Sequence, residues 1–267
     1  MKHLLFILVS VIFFVGLLVF LYIDFEHVSF LDPSTSNDGL QDTGLYIDNI
    51  ENQNDEGSDQ FSNIHIFQPI VDRNPYNNEL QNYMQSQVKM NDRTITLTAD
   101  HLHDEYISGK VESEIAFRYG TFSFRVNKID QYGLFPAIWL LPLNENDGIE
   151  IDIFESIGRE ANRFYGVYHW LENDVKLRDY FKFWYPNENE TTSDLITFVW
   201  TKDKLEWFYG GKSIYKIDQN VPQIPMYMIM NLAVGGTWPH NPNDTTKFPT
   251  DLNIEVVEFK PLEVIKR

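Results

Sequence analysis

The sequence predicts an all-β sandwich of short strands, preceded by an acidic linker and one N-terminal transmembrane helix. Three observations predict it. Apolar and polar residues alternate with period two in many short segments beyond residue 64. Gly, Pro and Asn breaks separate those segments, and no long amphipathic helical pattern interrupts them. The first residues, by contrast, form one uncharged apolar run.

That run, LLFILVSVIFFVGLLVFLYI at residues 4–23, is long enough to cross a hydrocarbon core of roughly 30 Å as a helix rising about 1.5 Å per residue. It exceeds the usual apolar stretch of a signal peptide and ends in Tyr22-Ile23-Asp24-Phe25, without a small-x-small cleavage site. The expected element is an uncleaved anchor with its flanks, residues 1–31; a cleaved signal and a secreted product is the alternative. Lys2 precedes the run and no Lys or Arg follows until Arg73. Because positive residues stay inside, the bulk of the chain is expected outside, as a single-pass cell-membrane protein with an extracytoplasmic domain.

Residues 32–63 carry PSTSNDGLQDTG and ENQNDEGSDQ. Such composition buries too little apolar surface to offset ordering entropy, so a flexible tether is expected, against a solvated face of the domain. Residues 64–267 then form the domain. Within it 94–98, 121–126 and 253–256 read as strands, while 205–209 and 213–217 flank Gly210-Gly211 as a tight hairpin. No internal repeat is apparent.

Hydrophobic residues make up 43 % of the 267, enough for a large core, and aromatics 15 %. With no cysteine, disulfides, zinc–thiolate sites and thiol nucleophiles are excluded. The net charge of −18 argues against nucleic acid and anionic lipid headgroups as partners.

The most informative segment is GIEIDIFESIG, residues 148–158. Glu150, Asp152 and Glu155 are interleaved with Ile149, Ile151 and Ile153, which is strand composition. Period two puts Glu150 and Asp152 on one face and Glu155 on the other, unless a β-bulge at Ile153-Phe154 returns Glu155 to the acidic face. Clustered like charges raise the pKa of at least one acid. One ionised and one protonated carboxyl is what glycoside hydrolysis requires. An exposed acidic strand face or a calcium site would also suit the spacing.

The flanking blocks narrow this. GLFPAIWLLP (133–142), GIEIDIFESIG, YGVYHW (165–170) and YMIMNLAVGGTWP (227–239) occur in that order. NNELQNY (77–83), YISGKVES (106–113), YGTFSFRV (119–126) and LITFVWTKDKLEWFYGG (195–211) add to them. Together they resemble glycoside hydrolase family 16, and within it the laminarinase-type, endo-β-1,3-glucanase-like members with an E-x-D-x-x-E motif. The resemblance implies a β-jelly roll of two curved antiparallel sheets with a cleft on the concave face. It implies retaining, endo-acting hydrolysis of β-glucan, with β-1,3 or mixed β-1,3-1,4 linkages, by a double displacement. A non-catalytic carbohydrate-binding protein on the same fold and a transglycosylase using the same residues are the alternatives.

Carried over by position, Glu150 is the expected nucleophile, Glu155 the expected acid/base, and Asp152 the group that holds Glu150. Trp139 and Trp238 match family tryptophans and are candidate stacking platforms, with core packing as the other reading. His169 matches a family histidine on the strand beyond the motif, a candidate substrate-binding residue expected to hydrogen-bond near Glu155, with a structural role as the other reading. Arg125 and Asn231 match positions that face the sugar, and for Arg125 an ion pair on a sheet edge is equally compatible. His240 is expected in a loop, and Met226, Met228 and Met230 in the core. The chemistry needs no metal or other cofactor, although a structural calcium ion is compatible with an acidic jelly roll. A monomer is expected. The sequence departs from the family where HIFQPIVDRNPYN (65–77) replaces a Trp-x-Asp-Glu-Phe strand, and at Thr94, where a glycine turn is common.

Overall fold

A computed structural model describes residues 64–73, 77–144, 147–186 and 194–267. The expected anchor and tether lie outside these residues. Among the described residues no helix is long and apolar enough to cross a membrane.

The strands, in chain order, are β1 (Phe67–Pro69), β2 (Gln81–Tyr83), β3 (Val88–Asn91), β4 (Thr94–Leu102), β5 (Glu105–Ser108) and β6 (Lys110–Ser113). Then come β7 (Ile115–Val126), β8 (Leu134–Pro142), β9 (Glu150–Glu155), β10 (Arg163–Glu172) and β11 (Val175–Trp184). The last five are β12 (Ile196–Trp200), β13 (Leu205–Tyr209), β14 (Lys212–Ile217), β15 (Met226–Val234) and β16 (Thr250–Lys266). The segments 94–98, 121–126, 205–209, 213–217 and 253–256 all lie in strands, as their alternation predicts.

The pairings fall into two arrays. One runs β11-β10-β9-β8-β15-β6-β1, the other β14-β13-β12-β7-β16-β4-β3. Long strands join them: β7 pairs with β16 along its length, with β12 from Gly120 to Phe124, and touches β15 at Phe117. The pairing is antiparallel except where β2 meets β5 in parallel, a departure from the all-antiparallel expectation. The chain passes through β3 and β4 before returning as β5, so the two strands run the same way.

β7 bends in its middle. Tyr119 has φ 65° and Gly120 has φ 148°, and a Cβ at Gly120 would lie 2.6 Å from the carbonyl oxygen of Lys260 on β16. Only glycine allows β16 to pass that close at that backbone angle.

Alternation then sorts the side chains. Met226, Met228 and Met230 point into the core and are fully buried, as expected, alongside Phe122, Phe124, Phe198, Trp200 and Trp207. The two arrays pack face to face through aromatic rings, with Phe181 of β11 against Trp207 of β13 at 5.4 Å and Phe183 of β11 against Tyr209 at 4.8 Å. On β15, Tyr227, Ile229 and Asn231 face the other way and are buried there as well, with Trp139 and Leu141 packed against the first two.

Candidate active site

β9 carries the acids, and its register shows how they come together. Against β8, Ile138 pairs with Phe154 but Trp139 pairs with Asp152, so Ile153 is an extra residue. Against β10 the same slip falls between Tyr165 and Val167. This is the bulge that the spacing of the acids requires, and it puts Glu150, Asp152 and Glu155 on one face. Ile151 and Ile153 are fully buried behind them.

Two residues on other strands make the bulge affordable. A bulged residue cannot complete its ladder hydrogen bonds, and a buried orphan carbonyl is costly. The Trp207 indole N–H donates to the Ile153 carbonyl at 3.1 Å from across the sandwich. Space for that indole comes from Gly166, at the slip in β10. A Cβ there would sit 2.3 Å from the Phe181 ring and 2.9 Å from Trp207 Nε1. Neither role is visible in the sequence, since each depends on the strand opposite.

Cross-strand neighbours complete the face. Glu150 lies opposite His169, Asp152 opposite Val167 and Trp139, and Glu155 opposite Tyr165 and Ala137. His169 Nε2 is 3.4 Å from Asp152 Oδ2, and Lys176 Nζ of β11 is 3.4 Å from Glu150 Oε2. Burial raises the Asp152 carboxyl from 3.8 to about 6; the His169 hydrogen bond opposes this and the Glu150 charge adds to it. Burial, then the charges of Asp152 and Glu150, raise Glu155 well above the usual carboxylate range, with Arg178 acting against them. The arrangement places a carboxyl raised well above the usual carboxylate range on the same strand face as Glu150. Glu150, Asp152 and His169 also offer ligand atoms within 4.8 Å of one another. Two carboxylates and an imidazole are a poor match for calcium, which takes six to eight oxygens.

The family model for glycosyl hydrolases family 16 matches residues 76–255. The chain belongs to that family. It is 28 % identical over 215 residues to the glucan endo-1,3-β-glucosidase A1 of Niallia circulans, covering 68 % of this chain and 31 % of that protein. It is also 28 % identical to the endo-1,3-1,4-β-glycanase ExsH of Rhizobium meliloti, covering 60 % of this chain and 34 % of that protein. The family-16 chain thus spans about a third of the length of these curated relatives. Its fold matches the catalytic domain of an endo-1,3-β-glucanase (laminarinase) from Thermotoga petrophila, with a TM-score of 0.62 at 23 % identity over 72 % of this chain and 89 % of the other.

Of the other residues singled out in the sequence, this family-16 fold brings four to the acidic face or its rim. Trp139 donates its indole N–H to Asn231 Oδ1 at 2.7 Å, and Asn231 Nδ2 donates to the Tyr83 hydroxyl at 3.1 Å. That chain fixes the Trp139 ring beside Asp152. His169 reaches the face opposite Glu150 and bonds Asp152 rather than a group near Glu155. Trp238, in the loop after β15, packs edge-on against Tyr165 at 4.9 Å, next to Glu155. Arg125 is not brought to the site. It points outward from the second array, where Phe122 and Phe124 fill the inward positions, and pairs with Glu255 at 3.0 Å. Its strand belongs to the opposite sheet, so the ion-pair reading is the one realised. His240 lies in a loop, stacked on Tyr132. The divergent 65–77 segment supplies β1, which pairs with β6 at the edge of the first array.

Proposed function

We propose that this chain is an endo-acting, retaining β-glucan hydrolase, cutting β-1,3 or mixed β-1,3-1,4 linkages. The observation that carries this reading is the Ile153 bulge, which aligns three acids on one face while burial and mutual charge raise Glu155 well above the usual carboxylate range. In the proposed sequence Glu150 attacks the anomeric carbon as Glu155 gives its proton to the departing glycosidic oxygen. Glu155, now ionised, takes a proton from water, whose oxygen displaces Glu150 and restores both carboxyls. Asp152, held by His169, orients Glu150. Trp139 and Trp238 offer ring faces to the sugars. The apolar run at residues 4–23 supports a domain tethered outside the cell membrane.

The test is chemical rescue. Glu150→Ala should lower turnover by several orders of magnitude, and added azide should attack the substrate directly to give an α-glycosyl azide. Glu155→Ala should still form the glycosyl-enzyme from substrates with a good leaving group; azide should then release it as the β-glycosyl azide. Proton NMR reads the anomeric configuration. Swapped products would reverse the two roles, and undiminished turnover in both variants would remove β9 from the mechanism.

A further inference from the structure

The cleft end formed by β11 is charged against the trend of the molecule. The chain carries 39 acidic and 21 basic residues. Yet all three cations of β11, Lys176, Arg178 and Lys182, share the open face with the catalytic acids, in cross-strand register with Leu171, His169 and Tyr165. The strand's one acid, Asp179, lies on the opposite face, where it accepts a hydrogen bond from Tyr215 at 2.6 Å. Alternation thus sorts charge by face along this strand.

Lys182 is the decisive residue. Its ammonium lies 5.3 Å from the centroid of the Tyr165 ring and 5.7 Å from that of Trp184, and it has no carboxylate partner among the described residues. Tyr165 in turn lies opposite Glu155. Around the same rings stand Arg163, 5.4 Å from the Trp184 ring, and Arg159, whose Nη2 is 3.4 Å from the Trp238 carbonyl oxygen. Glu160 alone answers both arginines, at 3.2 and 3.1 Å. Three cations and one carboxylate therefore surround a cluster of sugar-sized aromatic faces one strand from Glu155. A purely neutral glycan gives Lys182 nothing to pair with, whereas an anionic substituent completes it.

We propose that Lys182, between Tyr165 and Trp184, forms a subsite for an anionic substituent, so the preferred polysaccharide carries carboxylate or sulfate ester groups on its backbone. This rests on the β-glucan hydrolase reading. It also explains how an acidic protein takes an acidic polymer: β11 presents its three cations on the face that carries the acids.

The experiment compares neutral, carboxymethylated and sulfated β-1,3-glucan with the full-length protein and its Lys182→Gln variant. Affinity electrophoresis measures binding without turnover, and reducing-sugar release measures KM and kcat. The expected result is about tenfold tighter binding of one or both charged glucans than of the neutral one at low salt. That ratio should shrink at 0.5 M NaCl and fall several-fold in Lys182→Gln. The carboxymethylated and sulfated arms identify which anion the subsite takes. Equal binding of all three glucans, or a ratio unchanged in Lys182→Gln, overturns the subsite. Binding with the expected ratio but no cleavage of any glucan upholds the subsite and overturns the hydrolase reading instead.

Discussion

The bulges at Ile153 on β9 and at Ile214 on β14 both lie beside buried carboxylates, and they treat them oppositely. In the β13–β14 hairpin the register slips between Trp207 and Phe208, making Ile214 the extra residue. Glu206 beside it is 9 % exposed and fully answered: the Lys204 ammonium pairs with one oxygen and the Ser213 hydroxyl donates to the other at 2.7 Å. On β9 the slip at Ile153 leaves Asp152, 3 % exposed, and Glu155 with each other as neighbours. The same backbone device satisfies a carboxylate in one place and frustrates two in the other. Buried charge is normally paired because leaving it otherwise costs several kcal/mol. The mutually repelling pair, raised in spite of His169 beside Asp152, therefore marks chemistry, and the fully answered carboxylate marks structure.

The comparison breaks most severely at Gly166. Gly166→Ala puts a methyl group into the Phe181 ring and against the Trp207 indole, both on rigid packed neighbours. The expected loss is about 3 kcal/mol of stability, read as a lower urea midpoint, together with most of the activity. A smaller effect is expected from Trp207→Phe, which keeps the ring but removes the donor to the Ile153 carbonyl. An orphaned buried carbonyl costs about 2 kcal/mol. A slackened bulge should reduce kcat by about tenfold or more through misplacement of Glu155. If Trp207→Phe lost stability but kept full kcat, the indole would support the fold without positioning the acid.

Much of this was legible in the sequence, for reasons that are local. Strands 94–98, 121–126 and 205–209 announce themselves by alternation, and the bulge follows from needing Glu155 on the face of Glu150 and Asp152. What was not legible is what the opposite sheet contributes. Gly166 and Trp207 act across the sandwich, and the Trp139–Asn231–Tyr83 chain links β8, β15 and β2. Arg125 failed for the same reason. Its position in a motif says nothing about which sheet β7 serves at that point, where it pairs with β16 beside the stretch that pairs with β12. The cations of β11 sit in plain alternation in VKLRDYFKFW, but their significance depends on knowing that β11 borders the acids.

The finest test of the contrast is to neutralise one carboxyl on each bulge and follow stability with pH. Glu206→Gln removes the charge that Lys204 and Ser213 serve and should cost about 1 kcal/mol. Asp152→Asn should act in the opposite sense at neutral pH. In the folded protein Asp152 holds its proton up to about 6, against 3.8 for the free side chain. The native state therefore binds more protons than the unfolded chain between those values, and Asp152 lowers stability as pH rises through that window. Asparagine keeps the shape and has no charge to bury, at the expense of the acceptor that His169 uses. The net gain at pH 7 is expected to be about 1 kcal/mol, vanishing below about pH 4, where the native aspartic acid is neutral in both states. Removing the Asp152 charge also removes the second largest influence raising Glu155, so its pKa should fall and the alkaline limb of the activity profile should move to lower pH. Thermal melts at pH 4, 5.5 and 7 separate the two effects. A variant less stable than the parent at pH 7 would mean that His169 compensates Asp152 as fully as Lys204 and Ser213 compensate Glu206, and the two bulges would no longer differ in kind.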